Sequence, residues 1–240
     1  MGQLLTNIAG PKDRIATGAA LHVEVIADLI CPFCYLGKRR LDRALCAVQG
    51  PSEVHWYPYQ LNPDMPAAGI AFDAYVARRF GNPANIQPVL DSLTTEGRRE
   101  GIRFRFDKVR HVPNTLPVHQ LMQLSEAEGG NQSALAEDLM AAFFERGEDI
   151  GDTEVLVASG ARHGLDAAAV RRALADERIR QIVLSREAQV RGSGMAGVPG
   201  YLLNRRLLVV GAQGTETLIN AFDRAMFGEG DDGLLSPAVH

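Results

Sequence analysis

Apolar and polar residues alternate along residues 21–29, Leu-His-Val-Glu-Val-Ile-Ala-Asp-Leu, and a period of two predicts a strand. Val23, Val25, Ala27 and Leu29 fall on one face, with His22, Glu24, Ile26 and Asp28 on the other. The period then lengthens. Leu41, Ala44, Leu45 and Val48 make a helical stripe, with Lys38, Arg39, Arg40, Asp42 and Arg43 on the predicted wet side, and Gly50-Pro51 ends the helix. Val54 to Leu61, rich in Trp56, Tyr57 and Tyr59, predicts a second strand. The resulting β-α-β unit implies a right-handed crossover and parallel strands.

Asn62-Pro63-Asp64-Met65-Pro66 breaks this pattern, and from Phe72 to about Arg191 most segments carry helical period. Phe72/Tyr75/Val76/Phe80 and Leu135/Leu139/Ala142/Phe143 are examples, and Asp152 and Asp166 are predicted helix starts. After Gly192-Ser193-Gly194 the strand period returns. Gly200 to Asn204, a turn at Asn204-Arg205-Arg206 and Leu207 to Val210 predict a hairpin, followed by a helix carrying Leu218, Ile219, Phe222 and Met226. The order β-α-β, helical block, β-β-α predicts an α/β, thioredoxin-like fold with an all-helical domain inserted in its middle. Residues 20–62 and 192–228 would form the thioredoxin-like part and 63–191 the insert, with flexible ends at 1–19 and 229–240.

Composition narrows the function. The 240 residues are 46% hydrophobic and 22% charged, with a formal net charge of −4, as in an ordinary soluble domain. No basic excess exists to neutralise a phosphate backbone, so nucleic acid is not an expected partner. No apolar run reaches bilayer length, so no membrane partner is expected, and Met1 to Ala20 does not read as a secretory signal. These features predict a cytoplasmic protein, as a monomer or a homodimer. Three cysteines are too few for a disulfide scaffold, and Cys46 is expected to be a small packed hydrophobe.

Cys31 and Cys34 carry the candidate chemistry. Cys-Pro-Phe-Cys lies between the first strand and the first helix, which places both thiols at a helix N-terminus. Unpaired N–H groups and the positive dipole end there favour thiolate. Pro32 suits the first turn, where its missing N–H costs nothing. An exposed Cys31 could attack a substrate disulfide and Cys34 could resolve the mixed disulfide, with Pro32 and Phe33 tuning and flanking the pair. A zinc site would need four ligands. Cys46 has no close partner, and His22, His55, His111, His119, His163 and His240 are expected to form no ligand cluster, so no metal is predicted. Glu24 and Asp28, on one strand face near the thiols, are candidate proton relays. Val198-Pro199 opens the late hairpin, where a cis-proline beside Cys31 would offer backbone to an extended substrate.

Asp28-Leu-Ile-Cys-Pro-Phe-Cys-Tyr-Leu-Gly-Lys38 resembles the active-site segment of DsbA-family oxidoreductases, in particular the FrnE-like branch. Pro113-Asn114-Thr115-Leu116-Pro117-Val118-His119 is similar to that branch's Asn-Thr…His helix start. Gly197-Val198-Pro199 and Gly211-Ala212-Gln213 are similar to its cis-proline and end-of-hairpin motifs, so the resemblance spans about residues 20–228. It implies a thioredoxin fold with a helical insert and thiol–disulfide oxidoreductase or isomerase activity. The cofactor would be the Cys31–Cys34 redox disulfide itself, and the substrate a protein or small-molecule disulfide or thiol. It also makes Asn114, His119 and Gln213 candidate binding residues, although Asn114 reads first as a helix N-cap and Gln213 suits a cap equally. Phe33 stands where that branch commonly has Trp. Gly200 follows the proline where a larger side chain is usual, and its smallness would open space near the sulfur. The same superfamily holds 2-hydroxychromene-2-carboxylate isomerases and kappa-class glutathione transferases, which typically carry Ser where this chain has Cys31. Glutathione is therefore a candidate reductant or co-substrate, and a glutathione-dependent isomerase or transferase acting on a small aromatic compound is the alternative reading.

Overall fold

Strand β1 (Leu21–Ala27) is buried along its whole length, so its alternation separates two buried faces, not a wet and a dry one. The computed structural model describes residues 21–48, 50–195 and 197–228; the ends expected to be flexible lie outside them. β1 runs parallel to β2 (Ser52–Pro58) and antiparallel to β5 (Gly200–Leu203), which pairs with β6 (Leu207–Val210) in a sheet of order β2-β1-β5-β6. The hairpin turn uses left-handed backbone at Asn204 (φ 47°) and Arg205 (φ 55°), which matches the twist of a tight turn.

Helices cover both faces. On one side Val23, Val25 and Ala27 join the core made by α1 (Pro32–Ala47) and α9 (Thr215–Phe227). On the other, Ile26, Tyr57 and Leu202 pack with Val190 of α8 (Glu177–Gly192). Between β2 and β5 the chain forms α2 (Phe72–Phe80), α3 (Gln87–Arg99), α4 (Leu116–Ala127), α5 (Gln132–Ala141), α6 (Thr153–Arg162) and α7 (Ala167–Ala175) before α8. Asp152 and Asp166 cap α6 and α7 by accepting from Glu154 N and Ala169 N. One continuous apolar cluster joins the sheet to this helical region, from Leu21 to Leu156 and Ala225.

Several expectations change. The insert is not all helical: Ile70–Ala71 (β3) and His111–Val112 (β4) form a two-residue antiparallel ladder, too short to leave a period in the sequence. Cys46 is exposed. It lies two residues from buried Ala44, about 200° around the helix and so on the opposite side. Of the basic residues of α1, Arg43 is exposed but Lys38 and Arg40 are not on a solvated face. Lys38 is buried between Asp42 (2.6 Å) and Glu137 (2.9 Å), while Arg40 reaches Glu96, Glu100 and the Ala212 carbonyl. Asp42 belongs to α1 itself, but the other acceptors sit on α3 and its C-cap, on α5 and in the loop before α9, so the first helix is stapled to three distant segments.

Candidate functional site

Cys31 is the N-cap of α1 in extended backbone, with Pro32 at the first helical position. Its carbonyl accepts from the N–H groups of Cys34 (3.0 Å) and Tyr35 (3.2 Å), and its own N–H donates to the Asp28 carbonyl (3.1 Å). The first turn of α1 holds no acidic residue, so nothing there opposes an anion at the dipole's positive end. Both thiols are free. Contrary to the exposed position expected for Cys31, only 4% of its surface is accessible, because it lies in the wall of a cleft and not on the outer surface. Burial, and then a hydrogen bond with Cys31, push the Cys34 thiol well up, so Cys34 is held protonated.

That cleft, about 370 Å³, runs between the two parts of the chain. Cys31, Phe33 and Val198 meet Phe72, Tyr75, Leu90, Phe106 and Phe143 across it, so the lining is overwhelmingly apolar. Phe33 and Phe80 stand exposed at the cleft. The Val198–Pro199 peptide bond is cis, and Pro199 packs against α1 at Gly37, one turn beyond the thiols. Gly37 is required there: a Cβ would lie 2.1 Å from the Tyr201 hydroxyl and 3.0 Å from Pro199 Cγ. Gly200 opens no space, because a Cβ there would meet Met195 Cε at 2.4 Å; the methionine fills the room that the missing side chain leaves.

Beneath the thiols lies Asp28, fully buried, its carboxyl pushed up to about 7 chiefly by burial. Leu61 N–H donates to Oδ2 (2.7 Å) and Thr115 Oγ approaches it at 3.4 Å, while Oδ1 has no hydrogen-bond partner. Facing Oδ1 at 3.8 Å is Nε2 of His119, also without a partner. Burial holds His119 down at about 4, so it is neutral near pH 7. Its bond to the Tyr59 backbone fixes the proton on the far nitrogen and leaves the Nε2 lone pair toward Asp28. Two acceptors face each other, and a proton on Asp28 Oδ1 is what would satisfy both.

The other predicted residues are placed differently. Glu24 lies on the same strand face as Asp28 but four residues away, and its carboxylate is turned to Arg205 (3.2 Å) and His22 (3.9 Å), not to the thiols. Thr115 holds the N-cap position of α4 without a side-chain cap bond, and Asn114, one residue earlier, supplies the capping oxygen. The Asn114 amide bridges Leu116 N (2.9 Å) and the Met65 carbonyl (2.7 Å), tying the helix start to the loop after β2. Gln213 neither caps α9 nor faces the cleft lining; its amide donates to the Val210 carbonyl at 2.7 Å. The histidines do cluster at one point, since His22 and His55 have ring centroids 5.0 Å apart.

Sequence reading missed three groups around the thiols. Thr115 touches Asp28. Glu187 of α8 is buried, binding Gln60 N (2.8 Å), Gln60 Nε2 (2.7 Å) and Arg191, and its charge pushes the Asp28 carboxyl up. Tyr201 is fully buried with no partner for its hydroxyl, which burial first and then the charges of Cys34 and Cys31 push well up. Thr115 and Tyr201 each left a trace in the sequence, one inside the Asn114-Thr115 helix-start motif and the other two residues after Pro199, whereas Glu187 left none.

The geometry can be set beside known proteins. A solved structure, the probable DsbA oxidoreductase SCO1869 of Streptomyces coelicolor, is 29% identical, with a TM-score of 0.79 over 91% of this chain and 94% of that one. The cytosolic disulfide reductase DsbM from Pseudomonas aeruginosa, solved with GSH, shares the fold at 21% identity and TM-score 0.58, over 85% of this chain and 95% of that one. A curated relative, the uncharacterized protein YwbO of Bacillus subtilis, is 28% identical over 156 residues, 64% of this chain and 72% of its own length. The model of the DSBA-like thioredoxin domain matches residues 22–223, from β1 through most of α9. With the dithiol on a helix N-terminus, the sheet order and the helical insert all in place, the chain belongs to the DsbA-like thioredoxin-domain family.

Proposed function

We propose that the protein is a cytoplasmic dithiol–disulfide oxidoreductase or isomerase in which Cys31 is the nucleophile and Cys34 the resolving thiol. The observation that carries this reading is the Cys31–Cys34 pair at the start of α1, with Cys34 held protonated and Cys31 opening into the cleft. Cys31 thiolate attacks one sulfur of a substrate disulfide, forms a mixed disulfide and expels the other sulfur as a thiolate. Cys34 then loses its proton and attacks Cys31, which releases the second substrate thiol and leaves the enzyme disulfide. The substrate gains two electrons and the enzyme loses two, and the reverse sequence oxidises a dithiol.

Asp28 is the acceptor for the Cys34 proton in this scheme. Its pKa of about 7 lets it take and return a proton near neutrality, and its charge acts on Cys34 directly. The apolar cleft favours disulfides flanked by apolar groups, and Val198 and Pro199 present substrate-facing backbone beside Cys31. Reduction of insulin with dithiothreitol tests the reading: acceleration that vanishes in Cys31→Ser supports it, and no acceleration by the wild type overturns it.

The second reading, a glutathione-dependent isomerase or transferase, draws on the same cleft, whose aromatic walls suit a small aromatic compound. The solved complex of DsbM with GSH shows glutathione on a protein of this fold. A glutathione titration of the Cys34→Ser protein separates the two, since this reading requires non-covalent binding of reduced glutathione.

A further inference from the structure

At the end of β1 remote from the thiols, the register of two parallel strands brings three ligating side chains together. His22 lies opposite Glu53, and Glu24 opposite His55, so the period of two puts all four on one face of the sheet. One ligand atom from each of His22, Glu53 and His55 lies within 4.8 Å of the others. We propose that these three residues form a binding site for a divalent metal ion of the zinc type.

The chemistry of the set supports this in three ways. Two imidazoles and one carboxylate are a donor combination that holds zinc with a fourth position left to water. Ligand atoms about 2.1 Å from a tetrahedral ion stand about 3.4 Å apart, so the trio needs only a small inward turn of the half-exposed Glu53 and His55 side chains. Each imidazole also has a carboxylate near Nδ1: His22 Nδ1 lies 3.9 Å from Glu24 Oε1, and His55 Nδ1 lies 3.5 Å from Glu126 Oε1. With Nε2 as the ligating atom, a carboxylate drawn within hydrogen-bond reach of Nδ1 would hold the ring in place and raise its basicity. The outer carboxylates are themselves anchored, Glu24 by Arg205 at 3.2 Å and Glu126 by Arg186 at 2.5 Å and Gln123 at 3.0 Å. His22 is fixed through its backbone, donating to Asn204 Oδ1 at 2.7 Å, whereas Glu53 and His55 leave an entry path from solvent. The competing explanation is that the two imidazoles serve only to pack against each other and beside their carboxylates, with no metal between them.

The test uses the full chain with its cysteines blocked by N-ethylmaleimide, so that the thiols cannot ligate. Cobalt(II), added alone, is expected to bind at one equivalent with visible ligand-field bands and no thiolate charge-transfer band. Zinc affinity, read by competition with a chromophoric chelator, is expected to fall at least tenfold in His55→Ala and in Glu53→Gln. In Glu126→Gln it is expected to fall about tenfold. Both ligand substitutions alter half-exposed side chains, and Glu53→Gln keeps the shape of the strand should His55→Ala fold poorly. Absence of binding in the blocked protein, or zinc affinity unchanged in both ligand variants, overturns the proposal.

Discussion

Glu24 and Asp28 are both fully buried carboxyls on one face of the first strand segment, four residues apart, yet their surroundings are opposite. Glu24 has the Arg205 guanidinium at 3.2 Å. Among the described residues Asp28 has no cation paired with it: its neighbours are the Leu61 and Ile30 backbone, a hydroxyl and a neutral histidine, and the charge of Glu187 acts against ionisation. A buried carboxylate paired with a guanidinium serves to hold strand and turn together, whereas one left without a cation drifts toward neutrality and becomes able to exchange a proton near pH 7. The thiols lie beside the second. The comparison teaches that burial alone does not mark a site; burial with the compensation left out does.

The largest effect separating these two ends is on exchange itself. Cys31→Ser is expected to reduce disulfide exchange to the uncatalysed rate, while Cys34→Ser is expected to accumulate a mixed disulfide visible by mass spectrometry. Recovery of normal turnover in Cys31→Ser would break the assignment.

The next is the pH dependence of stability. Asp28 holds a proton up to about 7 in the fold against an ordinary 3.8, so its contribution favours folding below 3.8 and is lost as pH rises to about 7. The shift corresponds to a cost on the order of 4 kcal/mol at higher pH. His119 works in the opposite sense: it stays neutral down to about 4 against an ordinary 6.5, so stability rises with pH across that window. The two nearly cancel between 4 and 6.5. Asp28→Asn removes the first and lets an amide N–H reach His119 Nε2, so its denaturation midpoint should climb from pH 4 to 6.5 and exceed that of the wild type above 7. Parallel curves for the two proteins would contradict the uncompensated state of Asp28.

Glu24→Gln should cost about 1–3 kcal/mol by leaving the Arg205 guanidinium short of a carboxylate, with exchange rates unaltered. A changed exchange profile in this variant would return Glu24 to the thiol chemistry. Smaller still is a packing test beside Pro199. Gly37→Ala should destabilise by about 1–3 kcal/mol through its collision with the Tyr201 hydroxyl. Tyr201→Phe removes a partnerless hydroxyl and should change stability by under about 1 kcal/mol, and combining the two should recover most of the loss. An additive double variant would show that the hydroxyl is not the obstacle.

The fold was legible because its elements have strong, distinct periods: two along 21–29 and 200–210, and 3.6 through the helical block. The placement of Cys31 and Cys34 at a helix start and the cis bond before Pro199 were legible because a CxxC and a late X-Pro in that order leave few other arrangements. The division of labour between Glu24 and Asp28 was not, because it depends on Arg205 and His119, which are 181 and 91 positions away and reach the strand only through the fold. The same holds for Lys38 and Arg40, whose carboxylates come from other helices, and for His22 and His55, which only strand register makes neighbours. Cys46 is the opposite case: its helical phase relative to Ala44 was available, and the general tendency of cysteine to be buried outweighed it.

The central claim is that Cys34 resolves through a proton acceptor that titrates near neutrality. It is tested most directly by the single-turnover rate of the second exchange step, from preformed mixed disulfide to enzyme disulfide, measured from pH 5 to 9 in wild type and Asp28→Asn. The expected result is a rate that rises through about 7 in the wild type, with that step lost and the rate lowered in Asp28→Asn. Superimposable profiles of equal rate would contradict it.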